Sequence, residues 1–195
     1  RTRELIEQVR AIDPDVVFND RWWASADAVP PESPDFVRTF EYETPETITE
    51  GPWELCRGIG ASFCHNRAER AEHHLSGFDI VALLTEVVAK GGHLLLNIGP
   101  AADGTIPELQ RMPLEAAGRW VRAHQRLIDE SSPWDTWGDT EVRYLCRDGR
   151  LHAVDLSGRG RFGAITPDRY RVTAAERDGS PVGFRQHDDG VHVDG

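Results

Sequence analysis

The sequence predicts an α/β fold in which a parallel α/β domain is followed by a small antiparallel β domain. Strand and helix patterns alternate from the start of the 195-residue chain to about Ile128, with a loop after each strand. From Trp134 onward the chain instead contains short strands separated by Gly, Pro and Asp. The sequence around "RDGR" (147–150) alternates apolar and polar residues on both sides of a turn, which is a strong signal of a β-hairpin.

The first part of the α/β domain contains one predicted helix and two predicted strands. Apolar residues recur at helical spacing over residues 5–12, and "DP" then ends the helix. The run "DVVFN" (15–19) is apolar and β-branched, as expected of a strand buried on both faces of a parallel sheet. A loop rich in Pro, Ser and Ala, over about 23–34, leads to a second predicted strand, "VRTFEY" (37–42).

Two further helices and one strand complete this domain. A helix is predicted over 77–89 and ends at "KGG" (90–92), where glycine supplies a left-handed cap. The clearest buried strand of the chain is "HLLLNIG" (93–99). A long helix is predicted over 108–128, and Pro113 within it leaves the conformation of its first turn open.

The antiparallel domain is predicted to begin between Ser131 and Trp137, where the helical spacing ends. Beyond the hairpin, further strands are predicted at "FGAIT" (162–166), "YRVTAA" (170–175) and "GVHV" (190–193). Glycine, proline and aspartate separate these strands, as is typical of tight antiparallel connections.

Composition argues against several classes of partner and site. The net charge of −11 disfavours binding to nucleic acid or to an anionic membrane surface, because both select basic proteins. The three cysteines lack the spacing of a zinc site or a disulfide framework. No apolar run in the sequence is long enough to span a membrane. The compartment, cytoplasmic or secreted, is not predicted.

Chemistry is expected where parallel strands end, because α/β sheets and barrels place their active sites there. The stretch "NDRWW" (19–23) follows the first strand and offers an acid, a guanidinium and two indoles. This mixture suits a polyhydroxylated ligand, because Asp20 and Arg21 would bind hydroxyl groups while Trp22 covers an apolar sugar face. A buried Asp–Arg pair that fixes the loop, with the tryptophans as packing, fits the same residues equally well.

The stretch "FEYE" (40–43) ends the second predicted strand and alternates glutamate with aromatic residues. In a strand, Glu41 and Glu43 would point to one side and their aromatic neighbours to the other. A carboxyl group beside aromatic surface can serve as a general acid, because desolvation favours its protonated form. An edge strand with a solvated acidic face is the alternative.

Metal and thiol chemistry receive little support from the sequence. Adjacent His73 and His74 diverge on most backbones, so together with His65 they do not predict a metal site. No activating base marks Cys56 or Cys64, and both are expected to be buried small residues rather than nucleophiles.

A series of motifs follows one order along the chain, from "VVFNDRWW" (16–23) and "FEY" through "PWELC" (52–56) to "GRWV" and "SSPW" (131–134). The most specific are "NDRW" and "KGGHLLLNIGPAADGTIP" (90–107). Together they resemble the retaining α-L-fucosidases of glycoside hydrolase family 29. The resemblance implies a partial (β/α) TIM-like barrel, its C-terminal half, over 1–132, followed by a small antiparallel β-sandwich domain over 133–195.

The resemblance also implies hydrolysis of terminal α-L-fucosyl groups on glycans by two carboxyl groups, without metal or cofactor. One carboxylate attacks the anomeric carbon, while the other protonates the leaving oxygen and then activates water. Glu41 matches the acid/base of the bacterial branch of the family, with Glu43 as the second choice. Arg21 and Trp22 of "NDRW" would contact the sugar, and Phe63 of "GASF" would pack near its methyl group.

A family signature corresponds to "PWELC", in which three residues stand out, Trp53, Glu54 and Cys56. Cys56 is expected to be structural, because a thiol has no part in a two-carboxylate mechanism. Pro52 stands where the signature has lysine, which is a departure from the family pattern.

The family nucleophile lies on a strand before "NDRW", so we expect it upstream of Arg1. The chain alone should then be inactive, and a half barrel would expose sheet edges that favour association, including homo-oligomers. Asp20 as the nucleophile is a weaker alternative, because its neighbours fit the later strand. Two other functions stay open: a catalytically inactive carbohydrate-binding homologue, and a barrel glycosidase acting on another sugar.

Overall fold

The computed structural model describes residues 2–22 and 34–194 of the chain. The loop predicted over 23–34 lies almost wholly outside the described residues, as does Trp23. Within them the fold is mixed α/β, with one parallel sheet and its helices followed by small antiparallel sheets. None of the helices in these two ranges combines the length and the apolar character that crossing a membrane requires.

The parallel sheet has three strands, β1 at Val37–Arg38, β2 at Trp53–Gly58 and β3 at Gly92–Asn97. Their order is β1-β2-β3, and both pairings are parallel. The strand predicted from the "HLLLNIG" run is therefore confirmed as β3, with slightly earlier bounds. All three strands end at the same edge of the sheet, which places the loops that follow them side by side.

Helix α2, Gly77–Ala89, connects β2 to β3 and has the predicted bounds. Ser76 and Asp79 cap its start through reciprocal hydrogen bonds. The helix covers one face of the sheet, where Trp53 and Leu55 of β2 pack against Val87 in a buried cluster.

Helix α1, Thr2–Ile12, is confirmed, but the strand predicted directly after it is wrong. An isolated parallel bridge between Asn19 and Phe36 is what the structure has there. The backbone N–H of Phe18 donates to the carboxylate of Asp35 at 2.7 Å. A side chain therefore takes the hydrogen bond that a neighbouring strand would have provided.

The second predicted strand ends early, at Arg38, and a β-turn follows it. We call this turn, Phe40–Glu43, the acidic turn. The N–H of Glu43 closes it by donating to Phe40 O at 3.1 Å. Its third residue, Tyr42, has φ 68, a conformation that type II turns reserve mainly for glycine and asparagine. The prediction that Glu41 and Glu43 share one face of a strand is therefore wrong.

The last predicted helix of this part is divided into two helices, α3 at Glu108–Ala123 and α4 at Gln125–Asp129. His124 separates them with φ −120 and ψ 23, and its N–H donates to Trp120 O at 3.0 Å. Pro113 lies inside α3 without ending it.

Two three-stranded antiparallel sheets and one short hairpin make up the rest of the chain. The strands are β4 at Ser132–Gly138, β5 at Val142–Arg147, β6 at Arg150–Asp155, β7 at Arg161–Phe162, β8 at Glu176–Arg177, β9 at Ser180–Pro181, β10 at Phe184–His187 and β11 at Gly190–Val193. The sheets have the orders β4-β5-β6 and β10-β11-β7, and β8 pairs with β9. The two larger sheets share an apolar cluster that includes Tyr144 and Val191. The domain boundary predicted at 132/133 stays a prediction.

The predicted hairpin is confirmed, because β5 and β6 are joined by Asp148 and Gly149. Both residues have positive φ, 52 and 70, as in a type I′ turn. The last predicted strand is confirmed as β11, but the strands predicted at 162–166 and 170–175 are wrong beyond the short β7. In that region the side chain of Gln186 provides hydrogen bonds to the backbone that a strand neighbour would otherwise supply.

Replacement of Trp53 by alanine should lower the free energy of unfolding by about 3–5 kcal/mol, because it empties a fully buried site. Trp53 is 1% exposed, and its Nε1 donates to Lys90 O at 3.2 Å. Urea denaturation followed by circular dichroism measures the change. As a control, Met112→Ala on the exposed face of α3 should change stability by no more than about 0.5 kcal/mol. Equal effects of the two substitutions would contradict the placement of Trp53 in the core.

Candidate active site

Side chains from separate segments meet at the carboxyl edge of the parallel sheet. Arg21 lies in a 3₁₀ turn, Asp20–Trp22, that directly follows the Asn19 bridge. Glu41 lies in the acidic turn after β1. Arg21 Nη2 is 2.9 Å from Glu41 Oε1, and both side chains are 43% exposed. The pair is thus formed within the chain and is open to a ligand.

The contact with Glu41 leaves other donors of Arg21 available. This hydrogen bond raises the pKa of Arg21 above its ordinary value and outweighs the opposing effect of burial. The guanidinium therefore stays charged, and its remaining N–H groups can bind hydroxyl or carboxylate oxygens. The backbone N–H of Arg21 donates to Asn19 Oδ1 at 3.0 Å, which fixes the turn.

Asp20 pairs with the sheet rather than with Arg21. Asp20 Oδ1 lies 3.4 Å from the backbone N of Arg38 and 3.4 Å from Arg38 Nε. The Asp20 side chain is 17% exposed. The loop-fixing Asp–Arg pair that the sequence left open is thus present, but with Arg38 as the partner, and Arg21 is left to Glu41.

Tyr42 connects the acidic turn to β2 and to the loop after β2. Its N–H donates to Cys56 O at 3.4 Å, and its hydroxyl donates to Gly60 O at 3.4 Å. Its ring makes an edge contact with the ring of Phe63, with 5.5 Å between the centroids. The guanidinium of Arg57 lies 4.9 Å from the centre of the Tyr42 ring. These contacts hold an aromatic surface directly beside Glu41.

The loop after β2 is held against β3 by its backbone. The side-chain Nδ2 of Asn97 donates to Phe63 O at 2.6 Å. A Cβ at Gly58 would lie 2.8 Å from both Tyr42 Oη and Ser62 O, so a larger residue would require a shift of the tyrosine or of the loop. Phe63 is therefore held beside Tyr42 by its backbone carbonyl as well as by its ring.

Two other predicted residues border the Arg21–Glu41 pair. Trp22 follows Arg21, is 42% exposed, and makes an edge contact with Phe18 at 5.1 Å between ring centroids. Glu43 is exposed and makes no ion pair with any residue that the structure describes. Of the two glutamates, Glu41 is the one joined to the arginine.

The signature residues of β2 hold the segments around the Arg21–Glu41 pair in position. Trp53 belongs to the core, where its indole N–H reaches the backbone of Lys90. Glu54 lies beside β1, and its carbonyl accepts the N–H of Thr39 at 3.0 Å. The carbonyl of Cys56 accepts the N–H of the tyrosine in the acidic turn. All three therefore set the position of other segments.

The thiols differ from each other in exposure. Burial raises the pKa of the Cys56 thiol, and the nearby charge of Arg21 opposes this effect less strongly. Cys56 is half-buried, whereas Cys64 is exposed, contrary to the expectation that it is buried. The structure therefore gives Cys56 none of the activation that a nucleophilic thiol needs.

The paired histidines turn to different partners. His73 Nδ1 accepts the N–H of Arg70 at 2.8 Å, and His74 Nε2 lies 3.2 Å from Glu69 Oε2. In the two described ranges no group of three or more His, Cys, Asp and Glu side chains is placed to hold a metal ion.

Sequence reasoning did not assign roles to Arg57, Asn97 or the backbone of Tyr42. Asn97 stands near the end of a predicted strand, and a glycine at 58 follows the signature. The sequence could therefore have indicated both positions as part of the site. The stacking of Arg57 on Tyr42 depends on two loops that meet only in the folded chain.

An accessible guanidinium–carboxylate pair beside aromatic rings, at the ends of parallel strands, is the arrangement expected of an α/β protein that acts on sugars. Residues 1–126 match the family model described as alpha-L-fucosidase. Because this match covers well over half of the chain, the chain belongs to the alpha-L-fucosidase family.

Individual relatives agree with this assignment. The chain is 31% identical over 119 residues to an alpha-L-fucosidase of Dictyostelium discoideum, a match that covers 61% of the chain and 25% of the relative. Alpha-L-fucosidase isoenzyme 1 of Paenibacillus thiaminolyticus superposes with a TM-score of 0.82 at 26% identity, over 99% of the chain and 49% of the structure. The Thermotoga maritima alpha-fucosidase, solved with a mechanism-based inhibitor, gives a TM-score of 0.77 at 30% identity, over 97% and 44%. The chain spans about a quarter to a third of the length of the curated relatives it matches.

Alkylation by iodoacetamide near neutral pH should modify Cys64 faster than Cys56. Cys64 is exposed, whereas burial of Cys56 raises its pKa and so lowers its thiolate fraction. Peptide mass spectrometry of time points measures both rates, and the urea-unfolded chain, in which the two rates should converge, is the control. Faster modification of Cys56 in the folded chain would show that the thiol is activated after all.

Proposed function

We propose that this chain is part of an α-L-fucosidase that removes terminal α-L-fucosyl groups from glycans with retention of configuration, and that Glu41 is its acid/base. Family membership supports the reaction, and the names of its relatives support the sugar. The observation that carries the residue assignment is the 2.9 Å contact between Arg21 and Glu41. The substrate would be a fucosylated glycan or oligosaccharide.

We further propose that the parallel sheet and its helices belong to the C-terminal half of a (β/α) barrel, and that the antiparallel sheets form a β-sandwich. Sequential parallel strands with a helical crossover, as in β2-α2-β3, are the repeating unit of such barrels. Two antiparallel sheets that share one apolar cluster fit a small sandwich.

In the proposed mechanism Glu41 would serve both steps of a double displacement. In the first step its carboxyl proton passes to the glycosidic oxygen while a second carboxylate attacks the anomeric carbon, which gives a fucosyl-enzyme ester and the free alcohol. In the second step the Glu41 carboxylate takes a proton from water, the water oxygen attacks the same carbon, and the ester bond breaks to release fucose. Its exposure gives Glu41 access to both the leaving group and water.

Arg21 and the aromatic residues would bind the sugar. Arg21 keeps donors that Glu41 does not use, and these suit the hydroxyl groups of a pyranose. The rings of Phe63 and Tyr42, in edge contact, offer apolar surface to the methyl group of a 6-deoxy sugar. Trp22, next to Arg21 in the chain, adds a partly exposed indole.

The second carboxylate is assigned to a part of the protein outside residues 1–195. Asp20 is the rival within the chain, but its carboxylate is engaged by the backbone N–H and the guanidinium of Arg38. Both contacts use Asp20 Oδ1, and they give this carboxylate a role in holding the 3₁₀ turn to β1. The family pattern, with the nucleophile on an earlier strand, supports the same assignment.

Glu41→Gln should abolish most of the activity of the complete protein toward fucosides with poor leaving groups. Glutamine keeps the shape and the contact with Arg21 but cannot transfer a proton, so kcat/KM for an alkyl α-L-fucoside should fall about 100-fold or more. The loss for a dinitrophenyl fucoside, which needs little acid assistance, should be much smaller in the first step. Glu43→Gln is the matched control and should change both substrates only slightly. A larger loss for Glu43→Gln would transfer the role to that residue.

The product of the complete open reading frame should hydrolyse 4-nitrophenyl α-L-fucoside, and residues 1–195 alone should not. Absorbance of released 4-nitrophenol at equal protein concentration measures both, with circular dichroism as the control that each protein is folded. Inhibition by fucose but not by galactose would set the enzyme apart from a glycosidase for another sugar. Equal turnover by the two proteins would refute a second carboxylate outside the chain, and fucose binding without turnover in either would favour an inactive sugar-binding homologue.

A further inference from the structure

A cluster of charged, polar and aromatic side chains lies where α2 meets the antiparallel sheet. We call it the α2 cluster, and its members are Thr44, Glu86, Lys90, Trp137 and Arg143. Lys90 Nζ is 2.7 Å from Glu86 Oε1, and Arg143 Nη2 is 3.1 Å from Glu86 Oε2. The centre of the Trp137 ring lies 4.0 Å from Lys90 Nζ and 5.1 Å from Arg143 Cζ. One carboxylate and one aromatic ring therefore hold two cations.

The two cations of the cluster are buried, so the loss of their common partner would be strongly destabilising. The side chains of Lys90 and Arg143 are 4% and 6% exposed. Burial alone would raise the pKa of Glu86, but hydrogen bonds from Lys90 and Thr44 and the charges of both cations hold it below its ordinary value. Glu86 thus remains a carboxylate that can accept several hydrogen bonds at once.

The α2 cluster reaches the candidate active site through Thr44. Thr44 directly follows the acidic turn, and its hydroxyl donates to Glu86 Oε1 at 2.9 Å. Further along the same loop, the N–H of Thr49 donates to Lys90 O at 3.1 Å. The loop after the acidic turn is therefore attached to α2 at both ends.

The turn needs such an attachment because its backbone is unfavourable on its own. Tyr42 has φ 68, which a residue with a side chain keeps only where its surroundings leave no alternative. Before the acidic turn, the chain is attached to β2 by the N–H of Thr39, which donates to Glu54 O at 3.0 Å. After the acidic turn, Thr44 is the first residue whose side chain attaches the chain to another element. Glu41 lies between these two ties.

We propose that Glu86 is a positioning residue for Glu41: it joins two buried cations and, through the hydroxyl of Thr44, holds the strained acidic turn in the form that presents Glu41 to Arg21. This inference rests on the proposed role of Glu41 as acid/base. It assigns a part in the active site to the antiparallel sheet, because Arg143 of β5 is one of the two cations that orient Glu86.

The test variant is Thr44→Val, which removes the hydroxyl and keeps the shape, and the matched control is Thr47→Val in the same exposed loop. In the complete protein, amide hydrogen exchange at Tyr42 and Glu43 should become about tenfold faster in Thr44→Val and stay unchanged in the control. Both amides donate hydrogen bonds within or next to the turn, so they report its opening directly. Glu86→Gln, which weakens both ion pairs, should produce the same change.

Catalysis gives a second readout that a general loss of stability would not move. If the turn positions the acid/base, kcat/KM of Thr44→Val should fall more for an alkyl fucoside than for a dinitrophenyl fucoside. Partial unfolding would lower both by the same factor. Unchanged exchange in Thr44→Val, or equal losses for the two substrates, would overturn the inference. A wild-type protein without fucosidase activity would refute the proposed function instead, and the exchange rates would still decide whether Thr44 anchors the turn.

Discussion

A single carboxylate on α2, that of Glu86, forms ion pairs with cations from both the parallel and the antiparallel part of this chain. Lys90 and Arg143 are almost fully buried, and a buried cation without a partner is strongly destabilising. Glu86 pairs with both, so α2 and the antiparallel sheet share one set of charges. The ring of Trp137 makes cation–π contacts with the same two cations. The parallel and antiparallel parts therefore meet through a polar network as well as through apolar contact.

The candidate site is built mainly from backbone contacts. Carbonyl groups of β2 receive the N–H groups of the acidic turn, and the carbonyl of Phe63 receives the amide of Asn97. The side chains that would meet a sugar, Arg21 and Glu41, then project from turns whose ends are fixed. In this division the signature residues Trp53, Glu54 and Cys56 hold neighbouring segments through the core and through backbone carbonyls.

Local signals in the sequence predicted the elements that depend on neighbours along the chain. Helix α2 has regular apolar spacing and a glycine stop, and the β5–β6 hairpin has an Asp-Gly turn, so both predictions are confirmed. The strand after α1 was not, because a distant side chain, Asp35, takes the hydrogen bond of Phe18. The alternation of Phe, Tyr and Glu predicts a strand where the structure has the acidic turn, because the positive φ of Tyr42 and its contact with the carbonyl of Cys56 leave no local signal. Family resemblance and "NDRW" singled out Arg21 and Glu41, but the ion pair between them joins two separate turns and could not be predicted from the sequence.

The hydrogen bond between Asn97 and the carbonyl of Phe63 also bears on how a site of this kind can diverge. Because the loop is anchored through a main-chain atom, this anchor does not depend on which side chain stands at 63. Exchange of the ring at 63 would remove its edge contact with Tyr42 but would keep the anchor, provided that position 58 stays glycine. If Phe63 has the role proposed for it, specificity for the substituent on the pyranose is separable from the framework that carries it.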